Sequence, residues 1–317
     1  LLLERDIIER DYYEQDSKSY GYRLVLEDYR TATHRLVPIG DVRLKKRLSE
    51  HRKRQANTAL HRWLRKQLDR ITLGEIDEEF LRTVAVRQTL ENGGTVEDKI
   101  KAYAEALDLI QRQVWYWESG DKFGYRIFHN VSGLKRELRR FLRVHGNSLV
   151  EIDIKASQLL FLALEMKRRG IPSGDFLERC QGDVYQYVAD HASTTRTKVK
   201  QAITQRALFA PNDHRCQRSR IKRVFDRLFP EVADYIRDCK KSDHRQLAKQ
   251  LQRAESGFML RTVCNRLRLE RPDLFVVTIH DSILCLPDDA EYVRGVMLDE
   301  FGKYGVQPRL EVKQPEE

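Results

Sequence analysis

The chain has 317 residues, of which 41% are hydrophobic, enough to bury a substantial core. Its 58 Lys and Arg against 48 Asp and Glu leave a net charge of +10, which favours an anionic partner such as a phosphate backbone. The longest apolar run, Leu159 to Leu164, falls far short of the roughly 18 residues of a membrane span, and the first twenty residues are too acidic for a signal peptide, so neither membrane insertion nor secretion is expected.

Five scattered cysteines (Cys180, Cys216, Cys239, Cys264, Cys285) form no CxxC, and their odd number suits a reducing, cytoplasmic setting better than a disulfide framework. The chain opens without Met, as expected of a fragment or a processed chain. From about Asp41 to Ile71 it is dense in Arg and Lys, with Leu44, Leu48, Leu60, Leu64 and Leu68 at helical intervals. This reads as one or two amphipathic helices whose basic face, including Arg52, Arg54, Arg62 and Arg65, serves either solvent or a nucleic acid. A second helical stretch runs from Val96 to about Trp117, entered through the turn signal Asn92-Gly93-Gly94. Residues 1–118 are therefore expected to form a helical, basic N-terminal region.

After Gly120 the texture changes. Leu149 to Ile154 is a β-prone run that follows the turn signal Gly146-Asn147-Ser148 and leads into a helical pattern from Ser157 to Lys167. Leu274 to Ile279 is a second strand, broken by His280-Asp281-Ser282 and followed by a third, Ile283 to Leu286, which predicts a β-hairpin with Asp281 at its tip. A helix over Ala290 to Phe301 and an edge strand over Pro308 to Val312 complete an expected α+β, helix-rich chain. In it, residues 119–317 form a small antiparallel sheet with an inserted helical part at about 175–255.

Two Asp residues at strand ends, Asp153 and Asp281, could meet on one face of such a sheet. Carboxylate oxygens are hard ligands that suit Mg²⁺ or Mn²⁺, and two ions about 4 Å apart stabilise the attacking and leaving oxygens of a phosphoryl transfer. Spacing alone leaves a turn-forming role open, since strand-end Asp residues commonly form turns. A zinc site from His214, Cys216, Cys239 and His244 is a further reading, although the spacing fits no finger.

The order of the surrounding segments resembles a known group. Gly124-Tyr125-Arg126-Ile127-Phe128, then Leu138 to Arg143, then Glu151-Ile152-Asp153 with Ser157-Gln158, resembles the opening of the palm and motif A in family A DNA polymerases. Gly182 to Ala189 is similar to the stretch after motif A in single-subunit RNA polymerases of phages and mitochondria. Arg196 and Lys200 resemble motif B on a fingers helix, Leu228 to Ile236 the segment after it, and Leu260-Arg261-Thr262-Val263 with Ile279-His280-Asp281-Ser282 motif C.

The resemblance implies a right-hand-like palm with small helical fingers. It implies template-directed nucleotidyl transfer in a phage-like or mobile-element DNA-replication setting, with nucleic-acid template and primer, nucleoside triphosphates and accessory replication proteins as partners. Asp153 and Asp281 would be the catalytic metal ligands for two Mg²⁺ or Mn²⁺ ions. Arg196, Lys200, Gln158 and Phe209 would bind the nucleotide, and Arg126, Arg139, Arg143, His280 and Arg261 the nucleic acid. An Arg and a Lys at i, i+4 share a helical face and can grip two phosphates. Two departures stand out. The usual motif A glutamate falls on Leu160, and the motif B Tyr-Gly falls on Leu208-Phe209 or, with one insertion, Phe209-Ala210. Weak discrimination between ribose and deoxyribose is therefore expected. The competing readings are a palm-like nucleic-acid-binding module without catalysis and a metal-dependent nuclease.

Overall fold

The structure is a computed structural model that describes residues 8–10, 22–24, 58–119, 121–212 and 218–313. The chain divides into two compact units, Leu1–Lys53 and Arg54–Glu317. In the first, strands Ile8–Arg10 and Tyr22–Leu24 pair antiparallel, a hairpin that no sequence pattern signalled. Leu44, Leu48, Arg52 and Arg54 lie outside the described residues.

The second unit opens with the helix Ala59–Leu68. Thr58 caps it by accepting from the His61 backbone N–H, and Leu60, Leu64 and Leu68 are buried, as their spacing predicts. Helices Glu78–Asn92 and Val96–Gln111 pack against each other across Gly93 and Gly94, which take φ of 72° and 86°. Both glycines sit where a side chain would be strained. The second helix stops at Gln111, and Trp117 instead joins a two-residue ladder with Phe128–His129.

A four-stranded antiparallel sheet follows, in the order Leu310–Lys313, Val150–Ile154, Ser282–Cys285, Val276–Ile279. The alternation of the Val150 strand sends Val150, Ile152 and Ile154 into one core and leaves Glu151 and Asp153 half-buried on the other face. Two cores result. One joins that face to the helices after Ser157; the other joins Val277, Ile279 and Leu284 to Leu81, Val84, Leu107 and Ile110 of the earlier helices. The boundary expected near residue 118 thus falls within the second unit.

Between the Asp153 strand and the Asp281 hairpin the described chain is helical: Ser157–Arg168, Phe176–Gln181, Val184–Ala192, Arg196–Ala202, Arg220–Leu228, Pro230–Cys239, Arg245–Ser256 and Asn265–Glu270. Wider π turns extend two of these, over Ile203–Phe209 and Gly257–Cys264. Phe176, Phe225 and Phe229 form an aromatic cluster with ring centroids 4.9–6.0 Å apart. Truncating one such buried Phe to Ala costs about 3–5 kcal/mol. Among the described residues, no helix is long and apolar enough to cross a membrane.

Candidate active site

The hairpin Val276–Ile279/Ser282–Cys285 turns through His280 and Asp281, with His280 at φ 55°. A two-residue hairpin turn favours positive φ, and His tolerates it better than most side chains. The register sets Ser282 opposite Asp153, and the Ile154 N–H donates to the Asp281 carbonyl at 3.4 Å, so the carboxylate of the hairpin turn emerges beside that of the adjacent strand. Burial pushes the Asp281 carboxyl up, and the charge of Asp153 adds to this against a hydrogen bond from the Ser157 hydroxyl. Ala156, at φ 52°, makes the left-handed step that swings Ser157 from the strand end onto Asp281. The Lys313 ammonium pairs with Asp153, and Lys155 with Glu311.

An open cleft of about 640 Å³ lies over this pair, lined also by Gln158, Arg196, Lys200, Tyr185 and Thr204. Thr195 caps the Arg196 helix, accepting from the Lys198 N–H. Arg196, Lys200 and Thr204 recur every four residues and so share the cleft-facing side. Arg196 donates to both oxygens of Asp183, at 3.0 and 2.8 Å, and its guanidinium lies 5.6 Å from the Tyr185 ring centre. Burial works against the Asp183 charge, yet Arg196 and the Gln186 N–H hold its carboxyl below the ordinary range. Burial pushes the Tyr185 hydroxyl up to about 12 despite a hydrogen bond with Thr204.

Behind the cleft, Glu255 is 1% exposed. Arg126 donates to it through Nε at 3.1 Å and through Nη2, and the Gln158 amide donates to its other oxygen. Burial, then repulsion from Asp281, raises the Glu255 carboxyl to about 7 against those donors. This fixes the Gln158 amide by one end, and its Oε1 is buried with no partner among the described residues.

The sequence-expected residues separate into two groups. Asp153, Asp281, Gln158, Arg196 and Lys200 meet at the cleft. Phe209 does not line it: it ends the π segment and is half-buried against the core. Leu160 is fully buried, so the position expected to meet the sugar faces the core instead.

The expected nucleic-acid contacts are mostly committed within the fold. Arg126 holds Glu255; Arg139 donates to both oxygens of Glu151 at 3.2 Å; Arg143 donates to the carbonyls of Arg140 and Leu142. Arg261 is exposed on the π segment, away from the cleft lining. Its charge reaches His61, whose imidazole is lowered first by burial and then by Arg261. His280 packs edge-on against Phe128; burial, then Arg126 and Arg139, lowers it to about 4, so it is neutral at physiological pH.

Lys155, Tyr185, Thr204, Glu311 and Lys313 were not foreseen at the site, although the four-residue spacing from Lys200 to Thr204 was readable. His214 and Cys216 lie outside the described residues. Among those described, no group of three or more His, Cys, Asp or Glu gathers to hold a metal. Two carboxylates nonetheless fit a hard ion such as Mg²⁺, which takes one or two protein carboxylates and completes its shell with water and substrate phosphates.

No protein family and no curated protein matches the chain. Among solved structures it is similar to the POL domain of Pol1 from M. smegmatis, in complex with DNA primer-template and dNTP. The TM-score is 0.51 and the identity 13%, over 76% of this chain and 57% of that one. The chain therefore has a polymerase-domain-like, helix-rich α+β fold and spans little more than half the length of that neighbour.

Proposed function

We propose that the chain is a template-directed nucleotidyltransferase, acting on a nucleic-acid template and primer with nucleoside triphosphates. The observation that carries this reading is the convergence of Asp153 and Asp281 on one cleft whose wall presents Arg196 and Lys200 on one helical face. A nuclease needs paired carboxylates but no cationic clamp for a triphosphate, so the helix favours transfer over hydrolysis. Retention of both carboxylates in a formed cleft favours it over a module without catalysis.

Asp153 and Asp281 would hold the divalent ions, two Mg²⁺ or Mn²⁺, which when bound supply charge stabilisation to the phosphoryl group. Ser157 orients Asp281 through its hydroxyl, and Lys313 neutralises Asp153 until substrate and ion replace it. As the primer 3′-oxygen bonds to the α-phosphorus, the bond to the departing pyrophosphate breaks. Arg196 and Lys200 then face the charge that grows on its oxygens. Asp183 and the Tyr185 ring hold the Arg196 guanidinium at the cleft wall, which reduces the side-chain freedom lost on binding phosphate. Gln158, fixed by Glu255, faces the nucleotide, and neutral His280 adjoins the primer end.

Incubating the protein with Mg²⁺, a primed template and either rNTPs or dNTPs tests the reading directly. Primer extension supports it and names the preferred sugar; nucleic-acid binding without extension, or cleavage of the primer, would replace it with one of the other two readings.

A further inference from the structure

A second opening, of about 300 Å³, lies beside the catalytic cleft, and Arg136 and Lys313 line both. Its walls are the 3₁₀ segment Arg136–Phe141 on one side and the helix Glu78–Asn92 on the other. Four arginines converge there: Arg87, Arg136, Arg139 and Arg140. Arg87 pairs with Glu137 and Arg139 with Glu151, but Arg136 is exposed and has no ion-pair partner among the described residues. Arg140 lies 4.3 Å over the centre of the Phe80 ring and likewise has no carboxylate among them. The Arg139 Nε is buried with no hydrogen-bond acceptor among the described residues.

We infer that this groove binds single-stranded nucleic acid and carries it away from the catalytic cleft along the helix Glu78–Asn92. Two physical features select that partner. A basic groove joined to an aromatic platform is the combination that holds an unpaired strand: arginines track the phosphates while the exposed part of a stacked pair, here Phe80 beneath Arg140, meets a base. The volume agrees, because about 300 Å³ is at the small end of ligand sites, room for roughly one nucleotide at a time. Arg136, open to both cavities, carries the phosphate path from one to the other. The proposal assigns a role to the helix Glu78–Asn92, which the catalytic constellation leaves without one. It rests on the nucleotidyltransferase reading only for the identity of the cleft that the groove joins.

The test uses the full chain, without nucleotide or divalent ion, and fluorescence anisotropy of a labelled oligo(dT) of about twelve nucleotides and of a blunt duplex of equal length. Arg136→Ala with Arg140→Ala should weaken oligo(dT) binding about tenfold at 0.1 M salt. It should also reduce the log–log salt slope by about 1.4, or 0.7 for each lost phosphate contact. Duplex affinity should change less than twofold, on the order of RT ln 2. Phe80→Leu, which keeps an apolar side chain against Phe141, should weaken oligo(dT) binding several-fold with an unaltered slope, as loss of a stacking face requires. An unaltered slope in the double variant, an equal loss for duplex and single strand, or wild-type affinity in Phe80→Leu would each overturn the proposal. Primer extension by the same preparation is scored separately: loss of single-strand binding without any extension activity would retain the groove and remove the nucleotidyltransferase reading.

Discussion

Glu255→Gln changes one buried proton site and nothing else in volume. In the folded chain the carboxyl is raised from its ordinary 4.5 to about 7, first by burial and then by the charge of Asp281, even though Arg126 and Gln158 donate to it. At 1.36 kcal/mol per pH unit, that gap corresponds to about 3 kcal/mol. The folded state holds the proton more tightly than the unfolded one. The stability this contributes is therefore complete below pH 4.5 and is lost as pH rises through 7. Two imidazoles act in the opposite sense: His129 and His280, both lowered to about 4 chiefly by burial, lose their contribution as pH falls below 6.5. The quantity to measure is consequently the difference between variant and wild type. Urea unfolding followed by tryptophan fluorescence at intervals from pH 4.5 to 8 should show Glu255→Gln gaining about 3 kcal/mol on the wild type across the range. Parallel stability curves would refute the reasoning, and with it the claim that Glu255 and Asp281 compete for charge behind the cleft.

Three further outcomes follow from the cleft. Lys200→Ala should raise the nucleotide KM and slow single-nucleotide incorporation, together about tenfold or more, because a phosphate contact that strengthens along the reaction is lost; unchanged kinetics for every nucleotide would return this helix to a solvated face. Lys313→Met should lower the Mg²⁺ concentration needed for half-maximal incorporation several-fold, since the ammonium no longer competes for Asp153; an unaltered Mg²⁺ titration would make the ion pair purely structural. Selectivity between ribose and deoxyribose should stay near a hundredfold or below, because Leu160 is in the core and the Tyr185 hydroxyl is already bonded to Thr204. Selectivity above about ten thousandfold would mean that Gln158, whose Oε1 has no partner among the described residues, senses the sugar.

The elements that carry the two carboxylates were legible because their patterns are local. Alternation over Val150 to Ile154 fixes which face Asp153 takes, and the break at His280-Asp281-Ser282 between β-prone runs puts Asp281 at a hairpin tip, although the strand resumes one residue earlier, at Ser282. The i, i+4 pair of Arg196 and Lys200 was readable for the same reason. What escaped was set by distant partners. Nothing near Arg126 announces Glu255, 129 residues away, and a guanidinium that looks available for phosphate is spent on a buried carboxylate. Lys313 lies one residue beyond the expected edge strand, yet pairing of Glu311 with Asp153 brings its ammonium to the site. Phe209, matched by sequence order, lies at the end of a π segment and packs against the core, a placement that no α-helical period predicts.

Single-nucleotide incorporation by the wild type and by Asp281→Asn, measured beside primer-template affinity in the same buffer with Mg²⁺, addresses the central claim most directly. Incorporation by the wild type is expected, with its loss by at least about a thousandfold in the variant and primer-template affinity within about twofold of wild type, since Asp281 is buried and, on the proposed function, would serve the reacting phosphate rather than the strand. Full incorporation by Asp281→Asn would contradict the assignment of Asp153 and Asp281 as the catalytic pair.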